Sequence, residues 1–208
     1  MLKIEAHILL KTFETNTWLL WDDKSLDAML IDPSAPSKAL LDHIKDLGLQ
    51  VIGIVNTHGH GDHIGGNGYF KDKLNAPLAI HSADAGMLAD NRKNLSEYMG
   101  TPLMVPAPDL LLEDGHTFTL GAHTVQVIHT PGHTPGGICL LCGKYLISGD
   151  TLFEMSIGRT DFPGGDHASI IRSIREKLFD LPDDTLVFPG HGPATAIGLE
   201  KKNNPFLR

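Results

Sequence analysis

Residues 51–66 read Val51-Ile52-Gly53-Ile54-Val55-Asn56-Thr57-His58-Gly59-His60-Gly61-Asp62-His63-Ile64-Gly65-Gly66. An apolar, strand-like run leads into a turn that packs three imidazoles and a carboxylate into positions 58–63. Neutral imidazole and carboxylate are the ligand types that borderline divalent metals favour, and four of them this close exceed what one ion can use. The spacing points to two metals sharing one turn. A solvated histidine-rich loop or a tag is the plain alternative in a chain with 12 histidines. A tag would be uniform and terminal, whereas this cluster is internal, between an apolar run and a glycine pair.

A two-metal site needs further ligands, and three other strand ends offer them. His133 lies in Thr130-Pro131-Gly132-His133-Thr134-Pro135-Gly136-Gly137, after the alternating segment Thr124 to Thr130. Asp150 ends Tyr145-Leu146-Ile147-Ser148-Gly149-Asp150, and His191 follows Phe188-Pro189-Gly190. Each is a polar group delivered by a buried strand into a Gly/Pro loop, the usual way a rigid scaffold presents functional side chains.

The ordered set His-x-His-x-Asp-His, then His, Asp and His, resembles the metallo-β-lactamase fold superfamily. Ile157-Gly158-Arg159-Thr160-Asp161-Phe162-Pro163-Gly164-Gly165 and the closing Asn204-Pro205-Phe206-Leu207 are similar to the short, glyoxalase II-like hydrolases of bacteria. The resemblance runs from about Leu9 to the C-terminus. It implies a single α/β domain over residues 1–208, a four-layer αββα sandwich with metals at one edge. By motif position it assigns His58, His60 and His133 to one metal, Asp62, His63 and His191 to a second, and Asp150 as the bridge. The spacing is compatible: His58 and His60 are two apart and can point the same way in an extended turn, while Asp62 and His63 open the following helix.

Two divalent ions, with zinc expected and iron or manganese as alternatives, would lie roughly 3.5–4 Å apart and share a hydroxide nucleophile. Asp62 and Asp150 are then the catalytic carboxylates, Asp62 being able to accept or relay a proton. No further acid stands in the motifs to protonate an amine, whereas a thiolate leaves readily because thiol pKa values sit near about 8.5. The expected reaction is therefore hydrolysis of a small thioester, S-lactoylglutathione or a relative. A mononuclear iron persulfide dioxygenase using His58, His133 and Asp150 is the alternative from another class. A lactone or other ester hydrolase, a non-catalytic metal-binding module and an antibiotic hydrolase are further alternatives.

Among the remaining polar residues, Arg159 matches in position a basic residue that glyoxalase II uses on its thiol substrate; an Arg tied to Asp161 is the structural alternative. Asp32, ending Met29-Leu30-Ile31, is read either as the carboxylate that takes a ligand histidine's second N–H or as a turn residue capping the helix near Ser37. Asn16 is read as a turn amide. Cys139-Leu140-Leu141-Cys142 has C-x-x-C spacing but lies in a strand-like run, where positions three apart face opposite sides, so no redox or metal role is assigned. His7, His43, His81, His116, His123, His129 and His167 lack paired ligand spacing and are read as surface or satisfied core residues.

With 208 residues and 41% hydrophobic content the chain can bury a continuous core. A formal charge of −8 excludes a basic field, so nucleic acid is not an expected partner. No apolar run is long enough for a membrane span, the N-terminus is too polar for a signal peptide, and two cysteines provide no disulfide framework. A cytoplasmic protein is expected; the oligomeric state is left open. Only 17 residues follow His191, so glyoxalase II's helical C-terminal domain, which supplies much of its glutathione pocket, is expected to be missing.

Strands are expected at 2–10, 15–21, 28–32, 51–56, 77–81, 117–120, 124–129, 138–142, 145–148 and 185–188. Amphipathic helices are expected at 38–47 and at 167–178, the latter capped by Asp166. The proline-bearing stretch 91–116 reads mainly as a loop that walls the site.

Overall fold

The computed structural model describes residues 1–100 and 102–208, and among these two six-stranded sheets stand face to face. The first is built in sequence order from β1 (Leu2–Ile8), β2 (Asn16–Asp22), β3 (Asp27–Ile31), β4 (Gln50–Val55), β5 (Leu78–His81) and β6 (Leu110–Leu112). β1, β2 and β3 form an antiparallel meander, after which β3 to β6 run parallel. Parallel neighbours need a crossover, and α1 (Lys38–Asp46) supplies the one between β3 and β4. α2 (Gly61–Ile64) and α3 (Asn67–Leu74) lie between β4 and β5.

The second sheet takes β7 (Thr117–Leu120), β8 (His123–His129), β9 (Ile138–Cys142) and β10 (Tyr145–Gly149) as antiparallel neighbours. A small hairpin of β11 (Leu152–Phe153) and β12 (Ser156–Ile157) precedes α4 (His167–Ser173). β13 (Leu186–Pro189) then pairs parallel with β10, and β14 (Thr195–Ala196) closes that edge before α5 (Ile197–Asn203).

Three buried layers follow from side-chain alternation. Between the sheets lie Trp18, Leu20, Met29, Ile31 and Val55 from one side and Val125, Val127, Leu140 and Ile147 from the other. Outside the first sheet, Leu19, Trp21, Leu30 and Ile54 pack against Leu40, Leu41 and Ile44 of α1 and Phe70 of α3. Outside the second, Cys139, Leu146 and Val187 meet Ile170, Ile174, Leu178 and Ile197. β2 is buried along its whole length, as expected of a strand covered on both faces. The result is the αββα sandwich.

The helices begin where local chemistry predicts. Ser37 caps α1 by accepting from Leu40 N, and Asp166 caps α4 by accepting from Ser169 N. The expected helix 167–178 is regular only to Ser173, after which Ile174–Leu178 widen into a π turn that closes with Phe179 N donating to Ile174 O at 2.9 Å. The stretch 91–116 is not loop throughout, since Leu110–Leu112 add a parallel edge strand to β5. Three residues are too few to show periodicity, and two of them are exposed; position 101 of that stretch lies outside the described residues. Cys139 and Cys142 fall in different cores, as strand alternation requires, and burial pushes both thiols up to about 11. No helix among the described residues is long and apolar enough to cross a membrane.

Candidate metal centre

Four strand ends bring the seven sequence-predicted ligands to one edge of the sandwich. β4 ends at Val55 and hands on His58, His60, Asp62 and His63, the last two in α2. β8 leads to His133, β10 to Asp150 and β13 to His191. They sort into two triads, His58/His60/His133 and Asp62/His63/His191, each with one donor atom per residue and all donors within 4.8 Å of one another. Asp150 sits between them, with Oδ1 3.5 Å from His63 Nε2 and Oδ2 3.5 Å from both His133 Nε2 and His191 Nε2.

These residues fit divalent cations. His58 Nε2 and Asp150 Oδ1 are buried without any hydrogen-bond partner, an arrangement that is costly unless an ion completes it. Ring nitrogens also face one another, His60 Nδ1 to His133 Nε2 at 2.9 Å and His63 Nε2 to His191 Nε2 at 3.3 Å.

On His63, His133 and His191 the far ring nitrogen is held by the scaffold, which fixes tautomer and orientation. His63 Nδ1 pairs with Asp32 Oδ2 at 3.0 Å, His133 Nδ1 with the Arg159 carbonyl at 2.7 Å, and His191 Nδ1 with the Phe13 carbonyl at 2.9 Å. Asp32 also accepts from Thr57 N at 2.7 Å and Thr57 Oγ1 at 2.6 Å. Since Thr57 Oγ1 lies 3.1 Å from His58 Nδ1, one buried carboxylate anchors a histidine of each triad. Of its two readings, then, Asp32 takes the ligand N–H; the cap of α1 is Ser37 itself. Asp32 holds this position at φ +49°, a left-handed conformation that Asp tolerates better than most residues.

Two glycines make room for the cluster. A Cβ on Gly149, at φ +49°, would lie 2.4 Å from Thr57 Oγ1. One on Gly190 would lie 2.1 Å from Asp150 Oδ1 and 2.7 Å from His63 Cε1. Neither loop tolerates a side chain there.

Electrostatics differ between the triads. Burial and the neighbouring imidazoles hold His58 well below its ordinary range and His60 at about 3. Burial acts on His63 in the same sense, but the carboxylates of Asp150, Asp62 and Asp32 outweigh it and hold His63 at about 10. His191 is likewise raised against burial, chiefly by its hydrogen bond to Asp62. Asp62 is driven well below the usual carboxylate range by His63 and His191 despite burial.

Metal binding requires neutral imidazole. At neutral pH His58 and His60 have no proton to lose, whereas His63, with its pKa above the solution pH, must release one. Because His191 is raised as well, loading of the second triad is expected to release more protons than loading of the first and to weaken as pH falls. Titration calorimetry in buffers of different ionisation enthalpy reads this directly; identical proton counts for both loading events would contradict it.

A cavity of about 740 Å³ opens onto the centre. His60, Asp62, His133, Asp150 and His191 form its polar floor, and Phe13, Leu95, Tyr98, Met99, Phe153, Ile157 and Phe162 belong to its apolar wall. Arg159 stands at the rim, 58% exposed, in a two-point pair with Asp161 at 2.7 Å and 3.9 Å above the Phe162 ring.

Residues 10–191 match the family model of the metallo-beta-lactamase superfamily. The chain belongs to this superfamily. Hydroxyacylglutathione hydrolase GloC of Haemophilus influenzae is 36% identical over 94% of this chain and 93% of its own length. Among solved structures, BLEG-1 B3 metallo-beta-lactamase superposes with TM-score 0.92 at 38% identity, covering 99% of each chain. TTHA1623 in a di-iron-bound form does so with TM-score 0.83 at 34% identity, covering 94% of this chain and 96% of that one. A metallo-beta-lactamase superfamily hydrolase with His/Asp sites for divalent ions accounts for the fold and the donor set together.

One supporting residue departs from the sequence reading, and two others have no role in it. Asn16 is no turn amide: it is buried at the start of β2, and its Nδ2 donates to Pro189 O at 3.0 Å and Gly192 O at 2.9 Å, bracing the His191 loop from both sides. Thr15 Oγ1 approaches Asp62 Oδ2 at 3.3 Å. Asp84 stands in no sequence motif, yet it is fully buried and accepts from Gly59 N, Thr134 Oγ1 and Gly136 N at 3.1, 2.7 and 2.6 Å. It thereby ties the His58–His60 turn to the His133 loop. The rule that strand ends deliver polar groups could have found it three residues beyond β5. Of the histidines read as satisfied, His7 and His81 keep a buried Nε2 without a partner.

Proposed function

We propose that this protein hydrolyses thioesters, S-lactoylglutathione or a related small acyl thioester, with two divalent ions per chain, zinc foremost. The observation that carries the reading is the pair of triads joined by Asp150 at the floor of an apolar-walled cavity. When bound, such ions supply Lewis-acid activation of a carbonyl and a nucleophilic hydroxide at neutral pH.

The chain's own residues account for the choice of leaving group. Asp62 is a carboxylate with a strongly depressed pKa, so it can accept or relay a proton but cannot act as the acid that expels an amine. Among the described residues the cavity lining includes no Glu or Lys for that task. A thiolate, with a conjugate-acid pKa of about 8.5, leaves without one. The apolar wall excludes water around the reacting carbonyl and accepts an acyl chain. Arg159 can leave Asp161 for a substrate carboxylate while its backbone carbonyl goes on holding His133. The second triad supplies donors for a second ion, which supports a dinuclear hydrolase over a mononuclear persulfide dioxygenase.

The deciding experiment is an activity panel on the metal-loaded chain: S-lactoylglutathione, an acyl thioester of N-acetylcysteamine, a lactone, a β-lactam, and oxygen uptake with glutathione persulfide. Thioester turnover is expected to dominate. Two metals per chain with lactone or β-lactam opening but no thioester cleavage would defeat the proposal, as would one iron per chain with oxygen uptake. Arg159→Ala is expected to raise KM for S-lactoylglutathione by up to about fivefold, the scale of an exposed ion pair, and to leave the N-acetylcysteamine ester unchanged because it lacks a carboxylate.

A further inference from the structure

Away from the strand ends, Glu5, His7 and His43 converge on the outer face of the first sheet. Glu5 and His7 are two apart on the edge strand β1, so they project from the same face, toward α1, whose last turn carries His43. Their donor atoms lie within 4.8 Å of one another. His43 Nε2 is 2.8 Å and His7 Nε2 3.6 Å from Glu5 Oε2, and the two imidazole rings stand 5.5 Å apart. The sequence reading denied these histidines a paired ligand spacing. The pairing is tertiary, since 36 positions separate His7 from His43 along the chain.

A hydrogen bond between His43 and Glu5 explains two of the three groups. It leaves His7 unexplained, because its Nε2 is buried, has no partner and faces the same carboxylate. Burial also depresses the His7 pKa, which disfavours its charged form beside a cation. Two imidazoles and a carboxylate match the donor chemistry of a borderline divalent cation. The half-exposed side chains of Glu5 and His43 give such an ion access from solvent.

We infer that Glu5, His7 and His43 form a separate site for a borderline divalent metal ion, such as Zn²⁺, that clamps β1 to α1. β1 leads into residues 9–15, where the Phe13 carbonyl holds His191 and Thr15 reaches Asp62. An ion at this site would therefore brace the strand behind one wall of the metal centre without touching any of its ligands.

The test is stoichiometry. The chelator-stripped full chain is titrated with Zn²⁺ alone against a chromogenic chelator, beside His43→Ala and Glu5→Gln; the latter keeps a hydrogen-bond acceptor for His43 but loses the carboxylate. The wild type is expected to bind one equivalent more than either variant, and that last equivalent is expected to raise the melting temperature only in the wild type. Because the readout is a difference between chains, it holds whatever the metal centre itself binds or catalyses. Equal stoichiometry in all three chains would overturn the site, as would a variant that keeps the last equivalent with wild-type affinity.

Discussion

Asp150→Asn is expected to lower thioester kcat/KM by about a thousandfold, equivalent to about 4 kcal/mol of transition-state stabilisation. It is also expected to reduce bound metal from about two ions per chain to about one. Asp150 stands between the triads, with Oδ1 3.5 Å from His63 and Oδ2 3.5 Å from His133 and His191. Asparagine nearly preserves its shape but offers one neutral acceptor oxygen, so the charge that would hold two cations together is lost. Circular dichroism should report an unchanged fold, since neither carboxylate oxygen is hydrogen-bonded to the scaffold and Oδ1 has no hydrogen-bond partner. Metal analysis and steady-state kinetics on the purified variant provide the check. Two bound ions with more than a tenth of wild-type activity would show that Asp150 does not join the triads.

Asp32→Ala should produce the largest loss of stability of any single substitution near the centre, about 3–5 kcal/mol in the metal-free chain. Three buried donors lose their acceptor at once: Thr57 N, Thr57 Oγ1 and the Nδ1 of His63. His63 has a side chain with no exposure at all and a pKa near 10, so removing Asp32 leaves a buried imidazolium short of a partner. For a chain of this length the melting temperature should fall by roughly 10 °C. Loss of the carboxylate that orients a metal ligand should also weaken metal binding about 10–100-fold. Asp32→Asn retains one acceptor oxygen and is expected to fall between the two. Thermal melts with and without chelator measure both effects; a metal-free Asp32→Ala chain within 1 kcal/mol of wild type would rule out the anchoring role.

The donor set was legible in the sequence because each ligand occupies the same kind of local context, the turn that follows an apolar strand where Gly or Pro redirects the chain. His58, His60, Asp62 and His63 share one turn, and His133, Asp150 and His191 repeat the pattern at three other strands. The supporting network was much less legible. Asp84 and Asn16 hold loops that lie 52 and up to 176 positions away in sequence, and no local pattern marks a side chain whose partners are distant backbone groups. β6 and the hairpin of β11 and β12 escaped for a different reason: two or three residues carry no periodicity, and only a neighbouring strand makes them β.

Arg159 shows the limit from the other side. Its motif was visible, but both readings of it, a substrate-binding cation and a partner of Asp161, depend on what lies across the cavity. The structure places it in the Asp161 pair, on Phe162, and at the rim at once.

The sequence by itself determined which side chains can bind metal and that they sit at strand ends, because ligand chemistry and strand periodicity are local properties of the chain. Only the tertiary structure decided that the two triads stand within donor distance around Asp150, that Asp32 anchors both, and that Glu5 and His7 meet His43. Those facts depend on distances between segments remote in sequence, and such distances are set by how two sheets and their helices pack.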